Sequence, residues 1–384
     1  MSAPLIAGTE DHPHARLVLG AGLASGSPSH AYLFHGPAGT GKRTAARALA
    51  AELLAEGAPD PESVRTRVMH GVHPDLTWVA PTGAHVMRVD DIDEPVVAAA
   101  TRTPFESSRR VFVLERVETM NDEVANRMLK TLEEPPPFVH LILLTEQLGG
   151  VLETVVSRCQ VVRFDPLPPE RIAEGLVADG VPADVADSCA RVSLGNGARA
   201  RVFATEEGAA LRRDADALVA DALASDDSAR AAKEPWRALL ERAEERRVAA
   251  EEAVERAKKE RLELEPKGRE RRAIEREFEE AAKRDGRRAR TEVLDTGLEL
   301  AAIGFRDLLA VQTGAGEAVL GRDRIEALQA AASGRVLDPF ALREAAEICE
   351  EARSSLELNV SEDLALAALS FRLRSVLERE PQAF

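Results

Sequence analysis

Lys42 follows Gly36-Pro37-Ala38-Gly39-Thr40-Gly41, the spacing of a phosphate-binding turn when a strand precedes it and a helix follows. Both conditions are met: His30 to His35 reads as a short buried strand, and the residues beyond Lys42 read as a helix running through Ala45 to Leu54. Glycines at Gly36, Gly39 and Gly41 let successive backbone N–H groups converge on an anion. The helix N-terminus adds partial positive charge, and Lys42 brings a point charge to the outer phosphates. Pro37, Thr40 and Thr44 complete the candidate contacts.

One position departs from the pattern. The residue after the lysine supplies the hydroxyl that ligates magnesium, and here it is Arg43. Thr44 cannot replace it, because one residue along a helix turns the side chain by about a hundred degrees. The sequence therefore admits ATP or ADP as ligand and predicts neither a metal site nor metal-dependent hydrolysis.

Arg110 to Glu115 is an apolar run closing on an acid. Glu115 reads as the acidic strand end that P-loop hydrolases place beside the metal, or as a plain strand-end carboxylate. Arg116 occupies the next position, where a second acid would activate water, so the hydrolytic site has two independent defects. Thr145, closing the run His140 to Thr145, is a candidate sensor of a γ-phosphate or a strand-capping hydroxyl. Arg158, in Ser157-Arg158-Cys159, precedes the last strand of the region. It is either an exposed arginine or a finger presented to a neighbouring subunit's nucleotide, a role worth about 10³ to 10⁵ in rate. His70 and His73 read as surface histidines without further ligands, and no Ser/His/Asp arrangement competes with the P-loop.

The elements that must position these residues are a series of strands and helices. Helix is predicted from Pro4 to Ser29, an irregular polar stretch from Glu56 to His73, and a strand from Asp75 to Ala80. Helix is predicted again from Arg88 to about Thr101 and from Asn121 to Leu132, with strands at Arg110 to Glu115, His140 to Thr145 and Gln160 to Phe164. That alternation is an α/β domain with a parallel sheet covered on both faces, over residues 1–166, with ligands expected at the strand ends His35, Glu115 and Thr145. After Leu167-Pro168-Pro169 no strand is predicted. A small helical lid is expected over 167–206, broken at Gly195-Asn196-Gly197, and an all-helical domain over 207–384. Within it, about 234–290 alternates Glu, Arg and Lys around a turn at Glu265-Pro266-Lys267-Gly268. It reads as a charged antiparallel helical hairpin or as a solvated charged extension.

The 384 residues carry 45% hydrophobic and 30% charged side chains, and with a net charge of −16 a broad basic face for duplex DNA is not expected, which leaves room for a local basic patch. Three separated cysteines, Cys159, Cys189 and Cys349, argue for a reducing compartment and against a disulfide framework. No apolar run is long enough to span a membrane, and the cytoplasm is expected.

His30-Ala31-Tyr32-Leu33-Phe34 before the P-loop, His73-Pro74-Asp75, Met120-Asn121, Leu129-Lys130-Thr131-Leu132-Glu133-Glu134-Pro135-Pro136 and Ser157-Arg158-Cys159-Gln160 together resemble the bacterial DNA polymerase III clamp-loader subunits of the AAA+ class, especially the delta-prime type. The resemblance implies an AAA+ P-loop domain, a helical lid and a helical collar, in one subunit of a ring that places a sliding clamp on primed DNA. It implies partners of the delta and gamma/tau kinds, the clamp, and primer-template DNA met through the assembled complex. It makes Arg158 a trans arginine finger, Arg199 in Gly195-Asn196-Gly197-Ala198-Arg199-Ala200 a nucleotide contact of the lid, and Leu358-Asn359-Val360 the lead into a closing collar helix. Family members commonly carry a four-cysteine zinc module before His73; Ala51 to His73 holds no cysteine, so no zinc is expected. The alternative is a self-sufficient AAA+ ATPase resembling gamma or tau.

Overall fold

The computed structural model describes residues 6–82, 86–224, 234–264, 269–331, 337–356 and 361–378. It divides into two compact units, Met1–Pro168 with Gly195–Ala198, and Pro169–Leu194 with Arg199–Phe384. The segments expected as lid and collar both fall mainly in the second.

The first unit is built on five strands, β1 (Ala31–His35), β2 (Leu76–Val79), β3 (Arg110–Leu114), β4 (Val139–Thr145) and β5 (Gln160–Arg163). They lie in the order β2-β3-β4-β1-β5 and every pairing is parallel. Alternation along each strand feeds two cores. Tyr32, Phe34, Val111, Val113, Ile142 and Leu144 join one cluster with helices α1 (Pro13–Ala24) and α2 (Lys42–Ala55). Leu33, Phe112, Leu114, Leu141 and Leu143 join the other, with Val124, Met128 and Leu132. Burial on both faces is why these strands read as unbroken apolar runs.

Three local expectations are corrected. The first helix spans only Pro13–Ala24, with Pro13 at its start. The stretch expected to be irregular contains α3 (Pro61–Met69): Asp60 caps it by accepting from Ser63 N at 3.1 Å, and Val64 and Val68, one turn apart, bury against α2. Arg65 adds two hydrogen bonds to Glu52 on α2, at 2.9 and 3.0 Å. The helix expected from Arg88 is a short 3-10 turn, Val89–Asp91, followed by π-helical Asp93–Ala98. Pro95 lies inside that segment and has no N–H to give, and Val97 N reaches back to Ile92 O at 3.0 Å, five residues away. Beyond it α4 (Asp122–Glu133) is capped by Asn121, which accepts from Val124 N at 2.9 Å, and the one-turn α5 (Glu153–Val156) leads into β5.

The second unit is helical. Its helices are α6 (Pro169–Ala178), α7 (Ala183–Val192), α8 (Gly197–Phe203, whose first two residues belong to the first unit), α9 (Glu206–Leu223), α10 (Trp236–Leu264), α11 (Arg269–Gln312), α12 (Ile325–Ala331), α13 (Pro339–Leu356) and α14 (Glu362–Leu377). The charged hairpin is present as α10 and α11. Arg290 pairs with Glu244 at 2.5 Å, Lys258 with Glu279 at 4.0 Å, and Gly286 faces Glu251, so one number falls as the other rises and the helices run antiparallel. No boundary occurs at Arg290: α11 is 44 residues long and runs on to Gln312, and its stretch from Val293 to Leu308 supplies core side chains. The Glu265 to Gly268 turn and Leu358-Asn359-Val360 lie outside the described residues.

Candidate functional site

Register explains the P-loop's shape. β1 is flanked by β4 and β5, so His35 pairs with Thr145 on one side and Arg163 on the other, and Phe164 N donates to His35 O at 2.9 Å. Gly36 follows with φ +143°, and a Cβ there would stand 1.9 Å from Phe164 O. Gly39 and Gly41 take φ of +70° and +92°, and Gly41 caps α2 in the left-handed region. These are conformations that only glycine adopts without strain.

The loop is braced from outside by side chains. Thr40 is buried, its hydroxyl donating to Pro37 O at 2.9 Å, while its carbonyl lies 2.6 Å from His12 Nε2. A carbonyl only accepts, so that nitrogen carries the proton. His12 also packs on the Phe164 ring, 4.9 Å between centroids, and burial lowers its pKa below the ordinary histidine value. Pro37 and Thr44 are exposed. A Cβ on Gly39 would collide with the Asn196 side chain, 1.6 Å from its Oδ1, so the Gly195-Asn196-Gly197 turn lies against the P-loop.

Lys42 is 7% exposed and its ammonium is folded onto the loop's own carbonyls, 2.5 Å from Gly36 O and 2.6 Å from Pro37 O. Burial lowers its pKa, opposed by the charges of Glu146 and Glu118. Arg43 turns to the other side of the site, its Nε 2.8 Å from Glu115 Oε1. Trp78, on β2, donates Nε1–H to the same oxygen at 2.5 Å. Glu115 itself is buried just past the end of β3, and Arg116 after it is left-handed at φ +54°. Thr145 is buried at the end of β4, with its hydroxyl 3.1 Å from both the N and the O of Gln147.

The structure thus brings Gly36 to Arg43, Glu115 and Thr145 to the carboxyl ends of neighbouring strands. Arg158 stands elsewhere, at the end of α5 just before the edge strand β5, its side chain one-third exposed. Its guanidinium donates to Thr154 O at 2.9 Å, to Ser157 Oγ at 3.2 Å and to the Glu133 carboxylate. Arg199 belongs to the second unit, where it pairs with Glu299. His73, expected at the surface, is buried and 2.9 Å from Glu106 Oε1, because the His73-Pro74-Asp75 turn is folded under residues 105–107. Sequence reasoning missed His12 and Trp78, and named Glu133 and Asn196 only within motifs, without their contacts. Each acts on a residue at least 25 positions away, at no helical or strand spacing.

Among the described residues no group of three or more His, Cys, Asp or Glu side chains is arranged to hold a metal ion, and no helix is long and apolar enough to cross a membrane.

Residues 12–168 match the family described as DNA polymerase III, delta subunit. DNA polymerase III subunit delta' of Bacillus subtilis (strain 168) is 37% identical over 162 residues, 41% of this chain and 49% of that protein. The delta' subunit of Pseudomonas aeruginosa is 36% identical over 166 residues, 42% of this chain and 50% of its own. The chain therefore spans about half the length of these curated relatives. A solved DNA polymerase III gamma subunit-related protein from Thermotoga maritima aligns with a TM-score of 0.42 at 14% identity, covering 91% of this chain and 95% of the other.

Proposed function

We propose, from the match of residues 12–168 to the family described as DNA polymerase III, delta subunit, and from the 36–37% identity to delta' subunits, that the whole chain serves a clamp loader in the cytoplasm as an activating subunit. It joins delta and gamma/tau partners in a ring that places the sliding clamp on primer-template DNA. It turns over no ATP of its own and supplies Arg158 to the nucleotide of a neighbouring ATPase subunit. Its P-loop is a phosphate cradle for ATP or ADP.

The observation that carries this reading is the contrast between the two cationic positions. At its own P-loop, Lys42 is folded onto backbone carbonyls, and Glu115, the acid a hydrolase would place beside its metal, is paired with Arg43 where a hydroxyl is needed. At the sheet edge, Arg158 is one-third exposed beside β5, held by exposed partners that cost little to leave.

The test is reconstitution of the ring with and without Arg158→Ala. The variant is expected to melt as the parent does, to assemble, and to depress ATP turnover at the adjoining site by about 10³-fold or more. Undiminished turnover would remove Arg158 from the role. Steady hydrolysis by the isolated chain, abolished by Lys42→Ala, would replace the proposal with a self-sufficient ATPase.

A further inference from the structure

A P-loop fold implies a magnesium ion between the residue after the lysine and the acid at the end of a neighbouring strand. The residues of this chain do not fit one. The hydroxyl ligand is absent, and the guanidinium that replaces it lies against the acid itself, Arg43 Nε 2.8 Å from Glu115 Oε1.

This pair is built into the site. Glu115 is 7% exposed, and a buried carboxylate without a counter-charge is strongly destabilising. Its Oε1 is fixed from β2 by Trp78 Nε1–H at 2.5 Å. Arg47, one helical turn beyond Arg43, lies over the same indole with its Cζ 4.8 Å from the ring centroid. Trp78 therefore holds the carboxylate on one edge and Arg47 on its face. Planar guanidinium groups suit such stacked, hydrogen-bonded positions, where an ammonium would not. A divalent ion approaching Glu115 would meet a positive charge already within contact distance of its ligand. Glu115 is buried while the Arg43 side chain is 67% exposed, so the repulsion is felt at the carboxylate and is partly screened on the solvent side.

We propose that the Arg43 guanidinium is the resident cation of this site, standing where the metal stands in P-loop hydrolases, so that the cradle takes a nucleoside polyphosphate without a divalent ion. The inference rests on the phosphate-cradle half of the proposed function and not on Arg158.

It is tested on the isolated full chain, where no partner's nucleotide is present, by calorimetric titration with ADP in magnesium chloride and in EDTA. The parent is expected to bind ADP with dissociation constants equal to within about twofold in the two media. Arg43→Thr, which restores the hydroxyl and frees Glu115, is expected to bind about tenfold or more tightly with magnesium than without. Adding Glu115→Gln to it should return the ratio to about one. If Arg43→Thr loses its cooperative melt, Arg43→Ser, uncharged and carrying the same hydroxyl, takes its place with the same expectation. A parent that needs magnesium, a parent that binds no ADP in either medium, or a neutral variant indifferent to magnesium overturns the inference. None of these outcomes bears on the Arg158 reading, which is measured only in the assembled ring.

Discussion

Asp75 is fully buried and accepts three backbone N–H groups, from Phe105 at 2.5 Å, Glu106 at 2.9 Å and Ser107 at 2.9 Å. No neutral side chain of its size accepts all three equally well, because an amide offers one oxygen where the carboxylate offers two. Asp75→Asn is expected to cost about 3 kcal/mol in urea unfolding, from charge-assisted bonds lost and donors left unpaired. A loss below about 1 kcal/mol would mean the loop holds itself. Histidines make a second prediction at this scale. Desolvation is the largest cause of a lowered pKa at His12, His35, His73 and His140. The unfolded chain therefore takes up protons first as pH falls below about 6.5, so the stability these groups confer is present above that pH and is lost as pH falls through their folded values. Urea midpoints at pH 7.5 and 5.5 should show a fall at the lower pH, and a flat profile would contradict the lowered values. The His-Pro-Asp motif was visible in the sequence, but its use was not. Asp75 meets partners thirty residues away that no spacing rule connects to it.

At the scale of elements, the sheet was legible and the connections were not. Apolar runs such as Val111 to Leu114 and Leu141 to Leu144 had to be strands because both faces are covered. Gly36, Gly39 and Gly41 announced the turn between β1 and α2 because each needs a φ that other residues avoid. By contrast, α3 has only nine residues and two buried valines, too few to show a period, and the π-helical segment at Asp93–Ala98 follows from one proline. The register that places Phe164 beside Gly36 yields a direct prediction. Gly36→Ala puts a methyl 1.9 Å from a backbone carbonyl, which can be relieved only by moving β5 or the loop. The cost is expected to exceed about 2 kcal/mol in thermal or urea unfolding, against about 1 kcal/mol or less for Gly57→Ala, where φ is +73° but nothing lies within 4 Å of the added carbon. Equal costs at the two positions would show that the close approach to Phe164 is not what requires glycine.

At the scale of the whole molecule, the arrangement least visible in the sequence is how charged residues divide between stitching and display. Arg158 with Glu133 and Arg43 with Glu115 join positions 25 and 72 residues apart, and only the fold brings them together. In the second unit the arginine of each pair is buried: Arg212 reaches Asp323, itself 45% exposed, at 2.6 Å, and Arg324 reaches Asp216 at 2.6 Å. The hairpin uses charge differently. Leu239 and Ala243 on α10 and Val293 and Leu294 on α11 are buried at its base. Above them Arg290 bridges Glu244 and Glu362, and Arg247 bridges Glu244 and Glu251. Beyond that ring the described side chains from Val248 on α10 to Asp285 on α11 contribute no core residue, so the helices are joined by partly exposed pairs worth a few tenths of a kcal/mol each. Such an arm carries its own folding cost and little of the unit's stability. Replacing Val248 through Gly286 by a short Gly/Ser turn is therefore expected to leave a cooperative thermal transition within a few degrees of the parent's, because it removes no core side chain among the described residues and, of the ring, only the Arg247–Glu251 pair. Cutting one turn deeper, to remove Ala243 and Arg290 with their neighbours, strips the base ring and should lower the midpoint sharply. If the shorter excision already abolishes the transition, α10 and α11 fold as one piece with the core, and the arm is part of the scaffold and not an appendage of it.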